Sequence, residues 1–131
     1  MILTPATKDD AFYFYQLRID PVASRMSRRR APTWAEHMEW WDRTKDYRFV
    51  GYATYRKVGT IRLALDGTVS IIVDPIFRGM GYGTEMLRAL DSHARSAGIT
   101  HMLAEIAPEN VPSQQAFTKA GWSPVLFEKY L

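Results

Sequence analysis

Val73-Asp74-Pro75-Ile76-Phe77-Arg78-Gly79-Met80-Gly81-Tyr82-Gly83-Thr84 is the stretch whose reading decides the fold. Thr68–Val73 leads into it as a strand. A helix is predicted to leave it, from about Tyr82 to Ala97, with Met86, Leu90 and Ala94 on one stripe. Gly98 then stands where a left-handed helix cap is wanted. The glycines at 79, 81 and 83 therefore occupy a strand-to-helix turn. Glycine lets the backbone approach a ligand closely, and free N–H groups at a helix start form an anion site. Arg78 adds a fixed charge that pairs with phosphate, so the turn suits a pyrophosphate. A dinucleotide fingerprint fits poorly, because the glycines run G-x-G-x-G and no acidic residue closes a following strand. A P-loop needs Gly-Lys-Ser/Thr, and here Thr84 follows Gly83 directly. The remaining alternative is a tight turn that needs glycine only for packing.

Upstream, Ile2-Leu3-Thr4 reads as a short opening strand ended by Pro5. Thr7 or Asp9 caps a helix from about Asp10 to Ile19, which Asp20-Pro21 stops, and a basic loop follows. Thr33 and Glu36 have capping-box spacing and open a second helix carrying His37, Trp40, Trp41 and Thr44. Arg48–Tyr55 and Val58–Leu65 read as strands across an Arg56-Lys57 turn, with Ile61, Leu63 and Leu65 facing one way. Asp66-Gly67 is the hairpin turn into Thr68–Val73. Downstream, His101–Ala107 is a further strand, Pro112 starts a short helix closed by Gly121, and Trp122–Leu131 is a terminal strand region. The order is β-α-α-β-β-β-α-β-α-β, an α/β fold (α+β) with a mixed, mostly antiparallel sheet flanked by helices.

The chain has 131 residues, which fits a single domain spanning 1–131. With no cysteine, disulfide scaffolds, thiolate metal sites and cysteine nucleophiles are excluded. Charged residues at 24% and hydrophobic residues at 47% exclude a disordered chain. No apolar run approaches the ~18–20 residues of a membrane span, so a cytoplasmic protein without membrane association is expected. The net charge is only +3, and much of the excess sits at Arg25, Arg28, Arg29 and Arg30. So local a cluster suits a solvated loop or an anionic ligand better than a nucleic-acid surface, whose binding would be steeply salt-dependent.

A second segment gives the glycine turn its meaning. Glu105-Ile106-Ala107-Pro108-Glu109-Asn110-Val111-Pro112-Ser113 leads into Gln114-Gln115-Ala116-Phe117-Thr118-Lys119-Ala120-Gly121-Trp122. Together the two segments resemble the GCN5-related N-acetyltransferase (GNAT) family. Arg78, Gly81 and Gly83 match its Arg/Gln-x-x-Gly-x-Gly/Ala acyl-CoA signature, and Asn110, Ser113, Gly121 and Trp122 match its second motif. The resemblance implies the family's fold, with acetyl-CoA as cosubstrate entering a gap between two splayed strands, and no metal. It implies that the backbone from Arg78 through Gly79, Met80, Gly81, Tyr82 and Gly83 to Thr84 holds the pyrophosphate. The main chain at Ile71, Ile72 and Val73 would run beside the pantetheine and donate an N–H to the thioester oxygen. Asn110, Ser113 and Phe117 would line the pantetheine arm.

Many family members place a tyrosine seven residues after the asparagine to protonate the leaving thiolate, and this chain has Phe117 there. Ser113 or water would fill that role. Glu105 is the candidate base, with an ion pair to Arg62 as its structural alternative. Asp66, Glu85, His93 and His101 read as structural or solvated. On the acceptor side the expectation is Arg18, His37, Trp41 and Arg62, with at least one of Trp40 and Trp41 in the core. The run from Leu17-Arg18 through Glu36-His37 to Trp40-Trp41, together with Ala116-Phe117-Thr118-Lys119-Ala120-Gly121-Trp122, also resembles the branch that acetylates amino groups on nucleotide-linked sugars, as in pseudaminic-acid synthesis. The expected reaction is direct transfer of acetyl to a small-molecule amine. Acetylation of a protein N-terminus or lysine, as in the ribosomal-protein branch, is the alternative within enzymes, and a non-catalytic acyl-CoA sensor is the alternative outside them. Only Trp122–Leu131 remains for the family's last two strands, which predicts an exposed sheet edge open to a homodimer.

Overall fold

A computed structural model of the chain describes residues 1–27, 29–124 and 129. Its elements are β1 (Ile2–Pro5), a 3-10 turn (Lys8–Asp10), α1 (Ala11–Arg18), α2 (Pro21–Ser27), α3 (Trp34–Arg43), β2 (Tyr47–Ala53) and β3 (Arg56–Leu63). They continue with β4 (Val69–Val73), a second 3-10 turn (Pro75–Phe77), α4 (Tyr82–Ser96) and α5 (Val111–Lys119). Among the described residues the four strands form one antiparallel sheet in the order β1-β2-β3-β4.

Strand alternation turns the sheet into a middle layer with a core on each face. Phe49, Ile61, Leu63 and Val69 pack against Met86, Leu87, Leu90 and Ala94 of α4 and Phe117 of α5. Val50, on the other face, packs with Ala11 and Phe14 of α1 and Trp41 of α3. Burying each such large side chain stabilises the fold by about 1.5–3 kcal/mol, so the two clusters hold the layers together. The register aligns Arg48 with Arg62 and Ser70, and Val50 with Thr60 and Ile72. Both columns lie on the α1/α3 face, because cross-strand partners share a face.

Several local expectations need correction. Arg56 and Lys57 belong to β3, opposite Ala53 and Tyr52, and the turn is Thr54-Tyr55 with Thr54 at φ +59°. The long ladder fixes the register and tolerates the strained threonine. Leu65 lies beyond β3 and is exposed, unlike Ile61 and Leu63. Asp20-Pro21 ends α1 but also starts α2, so Arg25 stands on a helix rather than a loop. The Asp20 carboxylate accepts from Val22 N (3.2 Å) and Ala23 N (3.1 Å), and proline is compatible with a first helical turn. His93 is half-buried, its ring 4.5 Å from that of Phe49.

The His101–Ala107 strand is reduced to one parallel bridge between Thr68 and Leu103. Val69 N donates to Leu103 O (2.8 Å) and Leu103 N to Gly67 O (3.0 Å), and there the pairing stops. Met102, Ala104 and Ile106 still turn toward the α4 core. The side chains of Leu103 and Glu105 are exposed, turned away from that core. Most of the terminal strand region Trp122–Leu131, and with it the proposed dimer edge, lies outside the described residues. Among the described residues no helix is long and apolar enough to cross a membrane.

Candidate functional site

The turn at 78–84 has the geometry that its glycines suggest. Gly81 is the N-cap of α4 at φ +82°, a left-handed conformation that an L side chain rarely adopts, and no side chain caps the helix. Glu85 N bonds to Gly81 O (3.2 Å), leaving the amides ahead of it directed outward at the positive end of a fifteen-residue helix. An open cleft of about 430 Å³ lies there, lined by Met80, Gly81, Thr84, Glu85, Arg88 and Lys119. Gly83 serves packing: a Cβ there would stand 3.4 Å from Val73 and 3.6 Å from Ala116, so α4 sits close to β4 and α5. Tyr82 meets Phe77 edge to face at 5.9 Å, while Gly79 and Met80 remain exposed.

β4 supplies an open edge close to the start of α4. Val69 N points outward to Leu103, whereas Asp74 N points inward to Val58 O. Peptide groups alternate along a strand, so those of Ile71 and Val73 face the edge where pairing has ended. Ile72 turns its peptide toward β3 and its side chain toward α1 and α3, which removes it as a backbone donor at the edge. On the far side of the gap, Asn110 caps α5 by accepting from Ser113 N (3.3 Å). Ser113 is half-buried at the start of α5. Phe117 is buried and packs edge to face on Trp122 at 4.7 Å, so it is a core residue rather than a wall of the open gap.

Two long-range polar contacts escaped the sequence reading. Arg78 donates to Asp20 Oδ2 at 2.7 Å, tying the glycine turn to the start of α2; this bond is the main reason the Asp20 carboxyl titrates below its usual value. Tyr13 OH donates to Asp74 Oδ2 at 2.9 Å, and burial, together with that carboxylate, pushes the phenol above its usual range. Tyr13, Asp20 and Asp74 line a second cleft of about 440 Å³ between α1 and the end of β4. No spacing rule links residues 58 or 61 positions apart, so only the fold shows these pairs.

The expected acceptor residues divide. His37 is fully buried: Nε2 lies 2.9 Å from Ala11 O and Nδ1 lies 3.0 Å from Arg18 Nη1. Nε2 must donate to the carbonyl and Nδ1 accept from the guanidinium, so the ring is neutral and structural. Trp41 is likewise buried, edge to face with Phe14 at 5.1 Å. Neither lines an open wall. Arg18 and Arg62 are half-buried on the α1/α3 face, and Arg62 pairs with Asp46 at 2.6 Å rather than with Glu105. Within the arginine cluster, Arg30 binds Glu36 with both terminal nitrogens (3.1 and 2.8 Å), and Arg28 lies outside the described residues. Among the described residues no three His, Asp or Glu side chains converge as metal ligands would.

Burial first, then the charges of Arg18 and Arg48, hold the His37 imidazole below its usual value, against the opposing hydrogen bond to Ala11. Unfolding releases it to titrate near ~6.5, so the unfolded chain binds more protons below that pH. The stability that neutral His37 contributes is complete above about pH 6.5 and is lost as the pH falls toward its folded value. Melting temperatures between pH 7.5 and 5 should therefore fall more in the wild type than in His37→Gln, which keeps one donor and one acceptor without titrating.

Comparison with known proteins places this geometry. The model of the acetyltransferase (GNAT) domain family matches residues 1–123. The chain belongs to that family. A curated relative, the uncharacterized N-acetyltransferase YobR of Bacillus subtilis (strain 168), is 31% identical over 64 residues, or 49% of this chain and 26% of that protein. The match thus spans about a quarter of the relative's length. A domain from Methanocaldococcus jannaschii superposes with a TM-score of 0.83 at 18% identity, covering 95% of this chain and 88% of that one. The aminoglycoside acetyltransferase AAC(6')-Ib in complex with coenzyme A gives 0.77 at 17% identity, covering 92% and 83%. Spermidine N-acetyltransferase from Vibrio cholerae in complex with CoA and spermine gives 0.74 at 18% identity, covering 92% and 79%. These structures share the fold expected from the order of elements.

Proposed function

We propose that this protein transfers the acetyl group of acetyl-CoA to a primary amine. The observation that carries the reading is the juxtaposition of uncapped α4 amides with the open edge of β4 at Ile71 and Val73. The amides from Arg78 to Thr84, with the Arg78 guanidinium, hold the pyrophosphate. An edge N–H from Ile71 or Val73 donates to the thioester oxygen as negative charge develops there. The amine lone pair attacks the carbonyl carbon, the C–S bond breaks, and the thiolate takes a proton. An alkyl thiol has a pKa near ~8.5 and leaves without a strong acid, so Phe117 at the family's tyrosine position does not preclude turnover. Ser113 or water supplies that proton.

Glu105 lies just past the point where pairing with β4 ends, exposed, turned away from the α4 core, and without a hydrogen bond or ion pair among the described residues. It is the base that takes the ammonium proton, directly or through water. The acceptor approaches over the α1/α3 face of the sheet. Aminoglycosides and spermine, bound by the structural neighbours, are cationic amines, whereas this face presents Arg18 and Arg62. That charge favours an acceptor with anionic groups, of which an amino sugar linked to a nucleotide diphosphate is an example.

The test is thiol release from acetyl-CoA against a panel of amino-sugar nucleotides, polyamines and peptides. Release with one amine class is expected, and its acidic limb should change in Glu105→Gln. An unaltered pH–rate profile removes Glu105 as the base. Binding of acetyl-CoA without release across the panel overturns transfer in favour of a sensor.

A further inference from the structure

We propose that Arg18 and Arg62 form an oxyanion subsite against the face of Trp40, which seats a phosphate or carboxylate carried by the acceptor. Three guanidinium groups gather around this one indole: the Cζ atoms of Arg18, Arg48 and Arg62 lie 4.7, 4.8 and 5.5 Å from its ring centroid. Arg29 adds a further positive charge near Arg18. The described carboxylates that answer this charge are Asp46, bound to Arg62; Asp66, which faces Arg62 but accepts from Thr68 N at 2.9 Å; and Asp42, which faces Arg48 but pairs with Lys8 at 3.4 Å. Arg48 is already committed to Trp41 O (3.1 Å) and Thr44 O (2.7 Å), so it supports the indole from within.

Arg18 is different. Among the described residues, the guanidinium of this half-buried side chain makes one hydrogen bond, to the neutral His37 ring, although it has five N–H donors. A partly desolvated cation without an anion is costly, and an incoming oxyanion would remove that cost. Burial and the charges of Arg62 and Arg29 lower its pKa in agreement with this excess. The two-donor fork of a guanidinium matches phosphate and carboxylate alike.

The position fits an acceptor rather than the donor. Arg62 Nη2 lies 3.3 Å from Ser70 Oγ, which is exposed on β4 in the same column. Two residues of strand, about 7 Å, separate Ser70 from Ile72, beside the edge where the thioester is presented. The amine and the anion of the acceptor are thus held apart by about that distance. Only this placement rests on the acetyl-transfer reading; the anion site stands or falls by binding alone.

Calorimetric titration of the protein with UDP, inorganic pyrophosphate and succinate, at saturating CoA to block the glycine turn, tests the site. Saturable binding of a phosphate probe without succinate assigns a phosphate, and the reverse assigns a carboxylate. Arg18→Gln is expected to weaken binding by about tenfold or more, with a near-wild-type melting temperature. Arg62→Lys keeps charge against Asp46 but loses the fork, and should weaken binding by about threefold or more. No binding by any probe, or equal affinity in Arg18→Gln, overturns the proposal. Probe binding without thiol release for any amine keeps the subsite while removing the transfer reading. Release with neutral amines and no probe binding does the opposite.

Discussion

Gly59→Ala should destabilise the protein by about 2–3 kcal/mol and weaken acetyl-CoA binding at the same time. Gly59 lies in β3 opposite Gly51 on β2 and Val73 on β4. The two glycines leave the space that buried Met86 occupies under the sheet. A Cβ at Gly51 would stand 2.6 Å from its sulfur, and one at Gly59 would stand 2.8 Å from its terminal methyl. Methionine can re-pack, but the second obstacle at Gly59 cannot yield cheaply. The same Cβ would stand 2.5 Å from Ile72 O and 3.1 Å from Val73 Cα, both backbone atoms of β4. Relief requires β4 to move at the residues that present the open edge, so stability and donor binding fall together. Gly98→Ala is the control: φ is +76°, but an added Cβ meets nothing within 4 Å, so only about 1 kcal/mol of backbone strain is expected. Denaturant midpoints and acetyl-CoA titrations of both variants decide the matter. Equal losses in the two would show that the close approach to β4 is not what requires glycine at 59.

The proposed donor half of the site is more legible in the sequence than the proposed acceptor half, for a physical reason. A strand, a glycine turn and a helix are local, and the left-handed cap at Gly98 and the Met86, Leu90, Ala94 stripe follow from spacing alone. The Thr33–Glu36 capping box is local too, and forms as its spacing suggests. The proposed acceptor face is built from pairings between distant elements. His37 at helical spacing beside tryptophans reads alike whether it points to solvent or to Ala11 O, 26 residues away. Arg62 has the same composition-level reading whether Glu105 or Asp46 is its partner, and only the docking of β2 beside β3 selects Asp46. The 101–107 segment has strand composition, yet a ladder requires a neighbour, and the chain parts from β4 after Leu103. Met102, Ala104 and Ile106 still turn to the α4 core past that point, which leaves Leu103 and Glu105 exposed.

Arg78→Ala should raise the KM for acetyl-CoA by about 10–100-fold while kcat changes much less. The guanidinium stands at the entrance to the glycine turn and is held by Asp20 Oδ2 at 2.7 Å. That bond uses one of five donors, so the side chain can keep Asp20 and still meet a phosphate oxygen. Asp20 is itself fixed by the amides of Val22 and Ala23, which makes Arg78 a positioned charge rather than a free surface arginine. Positioning lowers the ordering cost of binding, and removing the charge takes away an interaction made equally with substrate and transition state. KM should therefore carry the effect. Asp20→Asn separates charge from position: its amide oxygen can still cap α2, but Arg78 loses its anionic anchor. KM should then shift less than in Arg78→Ala, and lose more of that shift at low salt, where the phosphates attract the freed cation most strongly. An unchanged KM in Arg78→Ala would mean that the α4 amides hold the pyrophosphate unaided, leaving Arg78 with the single task of joining the turn to α2.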